Sequence, residues 1–387
     1  MKYDFDTPVD RSGTNSSKWR TVGNELPMWV ADMDFRAAPE ILKVLQERLD
    51  NGVFGYSFIP KEWNNAICSW WQRRHSVRFE PNWAIFCTGV IPALSTAIRR
   101  FTSPGDKILV QSPVYHVFFN CIANNGREIS ANELVYKNGK YEIDFDDLEK
   151  KLANPLTTMM LLCNPHNPIG KIWDKATLGK IGELCHKHGV LVISDEIHCD
   201  ITDPGKSYTP FIGVSELCAQ NTIACISPTK AFNIAGLQSS AVVVPNENLR
   251  VKMAAAINYD EVGEANAFAI IAAIAAFERG EAWLDEMRAY IYENKKIVRE
   301  FIKNENLPVH LVASEATYLL WLDCSKVCED SSDFMKFLRE KVGLWLNDGN
   351  AYRGDKFFLR MNIATQKSRV IEGLNRLKNG INLYLKR

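Results

Sequence analysis

The 387-residue sequence has no excess of charge of either sign: forty-six lysines and arginines balance forty-six aspartates and glutamates. A neutral chain of this kind does not advertise nucleic acid or an anionic membrane surface as its main partner. Apolar runs long enough to cross a bilayer, roughly 18–20 residues, are also missing. The least polar stretch, ANAFAIIAAIAAF (265–277), is too short and too rich in alanine, and it reads as a buried helix. The N-terminus, MKYDFDTPVDRSG, lacks the apolar core of a signal peptide, so the expected location is the cytoplasm. Zinc spacing is absent too. Cys324 and Cys328 are close, but no histidine or second cysteine pair stands near them. The other eight of the ten cysteines lie mostly in apolar contexts, and reduced core thiols with no metal are expected. No internal repeat or low-complexity tract is evident.

What is present is the composition of a globular protein, 46% hydrophobic and 24% charged, in a length that suggests roughly two to three domains. Short apolar runs recur through the middle of the chain at 83–89, 107–113, 158–165, 190–196, 222–228 and 240–245. Most are continuously apolar rather than alternating, as expected for strands covered on both faces. Helical patterns lie between them. DKATLGKIGELCHKHG (174–189) carries Leu178, Ile181, Leu184 and Cys185 on one stripe and ends at Gly189, a C-cap candidate. This predicts an α/β domain with a mostly parallel sheet flanked by helices. After about residue 280 the order changes to a long helix (281–304), β runs at 316–323 and 357–364, a helix at 332–342 and a terminal helix. That reads as a smaller α+β domain. The expected division is an N-terminal segment, 1–45, packing with the small domain, a large domain, 46–284, and the small domain, 285–387.

Polar residues gather where the apolar runs end, which is where a doubly wound sheet binds ligands. CTGVIPAL places Gly89 after a run and Pro92 in the first turn of a helix, whose free N–H groups suit an anion. An ordinary strand-to-helix turn has the same pattern. CNPHNPIGK supplies Asn164, Asn167 and Gly170, and a purely structural loop would look alike. VISDEIH puts Asp195, Glu196 and His198 after the most apolar run, where a carboxylate needs a partner unless it caps a helix. CISPTKAFNIAGLQ (225–238) carries Lys230 between two apolar runs. A lysine alone is most often solvated; an apolar site would instead lower its pKa and make it a nucleophile. One chemistry uses all four features. An amine forms a Schiff base with an aldehyde cofactor, a carboxylate keeps the cofactor's pyridine nitrogen protonated, an asparagine donates to its phenolic oxygen, and a helix N-terminus holds its phosphate. That cofactor is pyridoxal 5′-phosphate (PLP).

The ordered set TGVIPA, SPVYHVF, NPHNPIGK, SDEIH, SPTKAFNIAG and LRMNIA resembles the fold-type I PLP enzymes of the class I/II aminotransferase family, over nearly the whole chain. LPMWVADMDF (26–35), with GYS at 55–57, makes it most similar to the MalY/PatB-type C–S β-lyases, which include cystathionine β-lyases. The resemblance implies that Lys230 carries the Schiff base and acts as acid and base, and that Asp195 pairs with the pyridine nitrogen. It places Asn167 on the phenolic oxygen with His198 nearby, Tyr115 on the ring face, and Val90, Ile91, Ser227 and Thr229 on the phosphate. It implies a homodimer in which Tyr56 reaches the neighbouring subunit's phosphate. Arg360 is expected to clamp the substrate α-carboxylate, with the backbone at Ala31 facing the same group. One position departs from the family pattern: Gln238 stands where many members carry a phosphate-binding cation.

The reaction so implied is α,β-elimination of a thiol from a β-substituted amino acid such as cystathionine, leaving pyruvate and ammonia. Transamination shares the early steps and the same residues, so an aminotransferase is the alternative reading. A PLP-binding regulatory protein with secondary catalysis is a further one, although no DNA-binding segment is evident.

Overall fold

The computed structural model describes residues 2–387. Seven strands form the central sheet in the spatial order Ala84–Cys87, Ser240–Val243, Thr222–Ile226, Leu191–Asp195, Thr157–Cys163, Lys107–Ser112, Glu128–Glu133. Ser240–Val243 runs antiparallel to both of its neighbours, and the other six strands share one direction. The central strands are buried on both faces because helices cover each side. Leu161, Ile193 and Ile223 point into one core with Ala93, Leu94 and Ala97 of the helix Val90–Phe101. Met160, Leu162 and Val192 point into the other, with Leu178, Ile181 and Cys185 of the helix Lys175–Lys187. This period-two division of continuously apolar strands explains why their sequences do not alternate.

The helix Lys175–Lys187 begins where the Asp174 side chain accepts from the Thr177 amide at 2.7 Å. Its chain reverses at Gly189, φ +69°. The strand Glu128–Glu133 (EISANE) has no counterpart in the apolar pattern of the sequence. It is a polar edge strand, paired only with Lys107–Ser112, so burial on both faces does not constrain its residues. A hairpin, Val135–Lys137 with Lys140–Glu142, follows it through Asn138 and Gly139, both at positive φ.

A second, antiparallel sheet is ordered His310–Leu311, Leu319–Asp323, Phe358–Asn362, Asn347–Asp348. The long helix Glu281–Asn304 and the helices Ser331–Val342 and Lys367–Tyr384 pack with it. The N-terminal chain is stitched to this part of the molecule. Leu26–Pro27 pairs in parallel with Leu344–Trp345, and the Trp29 ring stacks on Trp345 at 4.6 Å. Among the described residues no helix is long and apolar enough to cross a membrane.

The two sheets are tied together beside the NPHNPIGK turn. The Gly170 carbonyl accepts from the amides of Glu315 and Ala316 at 2.8 and 3.0 Å, and the Thr317 amide donates to Ile201 O at 2.6 Å. Gly170 itself is left-handed, φ +64°, and a Cβ there would lie 2.7 Å from Ala316 O and 2.6 Å from Ser314 Oγ. Gly170→Ala is therefore expected to destabilise the fold by more than the ~1–2 kcal/mol of the left-handed backbone alone. Urea denaturation checks it; a midpoint equal to that of the native protein would contradict the close approach.

Candidate active site

Three neighbouring strands end on one line. Cys163, Asp195 and Cys225 are paired in register across the parallel ladder. The chain beyond each end forms a turn: the NPHNPIGK loop, the SDEIH segment and the SPTKAFNIAG segment. With the N-terminus of the helix Val90–Phe101 and the N-terminal chain at Ala31, these turns enclose a cavity of about 200 Å³. Lys230, Asp195, Asn167, His198, Tyr115, Val90, Ile91 and Ala31 line it, together with Cys163.

Lys230 keeps part of its side chain open, but it opens to this cavity. Its Nζ donates to the Ala31 carbonyl at 2.7 Å. Burial, the largest influence, pulls the amine below the ordinary lysine pKa; Asp32 opposes this, Arg360 adds to it and Asp195 opposes it. Asp195 is buried, and one protein donor reaches its carboxylate, the Ile197 amide at 3.1 Å. Burial pushes it up to about 7, against the Ile197 hydrogen bond. It keeps lone pairs facing the cavity and has a strong preference for a proton-bearing partner. His198 is buried with Nδ1 unpartnered, and burial, then the Lys230 and Arg360 charges, drives it down to about 3. It is a neutral imidazole at physiological pH.

Arg360, on the strand Phe358–Asn362, is 2% exposed. Its Nη1 donates to Asn167 Oδ1 at 3.2 Å and its Nη2 to Trp29 O at 2.9 Å, while Nε has no partner. Among the described residues no carboxylate forms an ion pair with it, although a buried guanidinium normally has one. Because Asn167 gives its carbonyl oxygen to Arg360, its amide N–H groups are left for the cavity. At the helix N-terminus Gly89 supplies no side-chain cap, so the amides of Val90 and Ile91 stay available.

The other sequence candidates lie elsewhere. Ser227 and Thr229 are buried but do not line the cavity. Ser227 Oγ bonds Thr229 Oγ1 and Ser239 O, both at 2.6 Å, and accepts from the Thr229 amide at 3.1 Å. Tyr56 is fully exposed, in an extended segment with Phe54 and Phe58 also exposed. Gln238 is exposed, with φ +53°. His75, Cys199 and Asp200, outside this cavity, bring ligand-type atoms within 4.8 Å of one another, but Asp200 already accepts from Trp70 and contacts His75.

Some residues at the site had no signal in the sequence. Tyr318 precedes the strand Leu319–Asp323, and its hydroxyl donates to the same Ala31 carbonyl at 3.1 Å. Asn362 donates to the carbonyls of Val30 and Asp32. Asn362 stands in the LRMNIA segment and Tyr318 in the β run 316–323, but no local pattern in either points to the site. Only the contact between the small sheet and the N-terminal chain brings them in.

The donor set fits a phosphorylated pyridine aldehyde: a depressed amine, a carboxylate with open lone pairs, and free amides at a helix end. The sequence model of the family "Aminotransferase class I and II" matches residues 29–377. The chain is 42% identical to cystathionine beta-lyase PatB of Bacillus subtilis, over 97% of this chain and 98% of that protein. It is 31% identical to protein MalY of Escherichia coli, over 98% and 99%. The crystal structure of cystalysin from Treponema denticola, which contains pyridoxal 5′-phosphate, superposes with a TM-score of 0.95 at 33% identity, covering 99% of both chains. The chain belongs to the class I and II aminotransferase family.

The position of Asp195 has a consequence for stability. Its folded pKa, about 7, lies above the ordinary value of 3.8. Relative to a neutral side chain, its contribution is fully present below about pH 4 and is lost as pH rises through 7. In cofactor-free protein, Asp195→Asn should therefore gain stability relative to the native chain between pH 4 and 7. Urea titrations at several pH values measure the difference; a gap independent of pH would contradict the assignment.

Proposed function

We propose that this protein is a pyridoxal 5′-phosphate-dependent C–S β-lyase that converts cystathionine, or a related cysteine S-conjugate, to a thiol, pyruvate and ammonia. The observation that carries the reading is a pair of cations at one cavity: Arg360, bonded to the lining residue Asn167 and without a carboxylate partner among the described residues, and Lys230, which lines the cavity with only a backbone carbonyl as direct partner. An α-amino acid completes the first through its carboxylate. The names carried by the relatives, cystathionine beta-lyase among them, favour elimination over amino transfer. We take residues 46–284 as the large domain, 285–387 as the small one, and 1–45 as an N-terminal segment packing with the small domain. Ten free cysteines suit a reducing cytoplasm.

In this reading PLP supplies the electron sink that lets bonds at the substrate Cα break. Asp195 holds the proton on the ring nitrogen, and its surroundings, which resist a bare carboxylate, favour that arrangement. Asn167 would donate to the phenolic oxygen, with neutral His198 near it, and Tyr115 would pack against the ring. The amides of Val90 and Ile91 would hold the phosphate, with the Ser227 and Thr229 hydroxyls as its further ligands. Arg360 grips the α-carboxylate in a bidentate pair, which fixes the Cα–H bond toward Lys230. Lys230 Nζ removes that proton, and its depressed pKa enlarges the free-base fraction relative to an ordinary lysine. The thiol then leaves from Cβ, and water releases pyruvate and ammonia.

The exposed Phe54, Tyr56 and Phe58 form an apolar stretch that we assign to a homodimer interface, with Tyr56 completing the phosphate site of the second copy. Sedimentation equilibrium should give a dimer, and Tyr56→Ala should bind PLP more weakly. A monomer with native cofactor affinity would exclude this arrangement.

The reaction is tested with purified protein, cystathionine and no keto-acid acceptor. Pyruvate, homocysteine and ammonia should form in equal amounts. Lys230→Ala should lose about 10²–10⁴-fold or more in rate. Arg360→Met should lose about 30-fold or more in kcat/KM. Activity that strictly requires an acceptor would sink the lyase reading and leave an aminotransferase.

A further inference from the structure

The Ala31 carbonyl that holds Lys230 belongs to a turn, Trp29–Phe35, with few neighbours of its own secondary structure. Three parts of the chain fix it. From the large domain, Asn233, three residues beyond Lys230, donates to Met33 O at 3.1 Å and Phe35 O at 2.8 Å, and accepts from the Met33 amide at 3.0 Å. From the small domain, Asn362 donates to Asp32 O at 2.6 Å and Gln366 to Asp34 O at 2.9 Å.

The third part is the N-terminal chain, and it is ionic. Arg11 donates to both Asp32 carboxylate oxygens at 3.2 and 2.8 Å, to Asp34 Oδ1 at 2.9 Å and to Met33 O at 3.2 Å. Lys18 meets Asp34 Oδ2 at 2.8 Å, and each side chain is only 1% exposed. It also reaches Asp32 Oδ1 at 3.7 Å. Trp19 Nε1 donates to Asp34 Oδ1 at 2.8 Å. Two carboxylates on one short turn thus meet two cations and an indole from residues 11–19. Burial alone would raise Asp34; Lys18, Trp19 and Arg11 outweigh it and hold it below the ordinary range.

This cluster adjoins the reacting amine. Lys230 faces Asp32 from the turn, Asp195 and His198 from the strand end, Arg360 from the small sheet, and Tyr318 and Tyr115 around the cavity. Of these charges Asp32 acts on Lys230 most strongly, and Arg11 is its bidentate partner.

We propose that Arg11 and Lys18 are positioning residues for the reaction: by pairing with Asp32 and Asp34 they fix the Trp29–Phe35 turn, and so set both the place of the Ala31 carbonyl and the net charge that Lys230 meets. The proposal rests on the reading of Lys230 as the reacting amine. Arg11 carries the test because it lies at the rim, with 21% of its side chain exposed, whereas Lys18 is enclosed and its loss would strand Asp34. In Arg11→Gln the Asp32 charge loses its partner and favours the protonated nitrogen of Lys230 more strongly. In Asp32→Asn that charge is gone and the opposite follows.

The measurement uses holoprotein. The pH midpoint of the cofactor's absorbance change reports the proton on the Lys230 nitrogen. It should move up in Arg11→Gln, move down in Asp32→Asn, and return toward native in Arg11→Lys. Amide hydrogen exchange over residues 29–35 should quicken about 10-fold in Arg11→Gln, with the central sheet unchanged. Loss of kcat/KM by about 10-fold should accompany it. The proposal fails if the two midpoints do not move in opposite directions, or if exchange over 29–35 in Arg11→Gln stays within about twofold of native. Neither readout needs turnover, so a native protein that forms no pyruvate would sink the lyase reading alone.

Discussion

The hydrogen bond from Lys230 Nζ to the Ala31 carbonyl joins the two halves of the molecule at the point where chemistry is expected. Lys230 belongs to the central sheet through the strand Thr222–Ile226, which ends four residues before it. Ala31 belongs to the N-terminal chain, which is paired at Leu26–Pro27 with the strand Leu344–Trp345. Tyr318, from the loop that leads into the second sheet, donates to the same oxygen. A single backbone acceptor on the N-terminal chain therefore takes hydrogen bonds from two other, separate parts of the chain. Any shift of one sheet against the other changes the environment of the amine.

The electrostatics depend on this enclosure. Lys230 lines a small cavity and Arg360 bonds Asn167 in its wall, and the carboxylates that act on Lys230, Asp195 and Asp32, form no direct ion pair with either cation. Desolvation disfavours such an arrangement in an isolated protein. It becomes favourable when an anionic ligand and a ring with a protonated nitrogen complete it. Asp195 has the complementary problem, a carboxylate that burial holds near pH 7 until a proton-bearing partner arrives. These groups are costly in stability singly and complementary together, as expected of a site built for charge that arrives with its ligands.

Much of this was legible in the sequence because it sits next to strong patterns. Asp195, Asn167 and Lys230 each follow a continuously apolar run, and a run buried on both faces can place its following residue only at a strand end. The segment motifs then named the chemistry. Legibility stopped where adjacency in sequence stopped. Ser227 directly follows the strand Thr222–Ile226, and its hydroxyl bonds Ser239 O and Thr229 Oγ1, contacts that no local pattern announces. Tyr318, Asn362 and Asn233 act through contacts some 200 to 330 residues away in sequence; Asn362 and Asn233 stand inside the LRMNIA and SPTKAFNIAG segments, yet nothing local aims them at the N-terminal chain. Asp32 and Asp34 stand in the LPMWVADMDF segment, but only the packing of the N-terminal chain couples them to Arg11 and Lys18. The edge strand Glu128–Glu133 escaped for the same physical reason, since a polar edge carries no apolar signature.

Every role assigned at the site requires Lys230 to be the amine that meets the aldehyde. Borohydride reduction of the holoprotein, followed by peptide mass spectrometry, reads this directly. A single phosphopyridoxyl group on Lys230, absent from Lys230→Ala, is the expected result. A reduced adduct on another lysine, or none on Lys230 in protein that has taken up the cofactor, would contradict it.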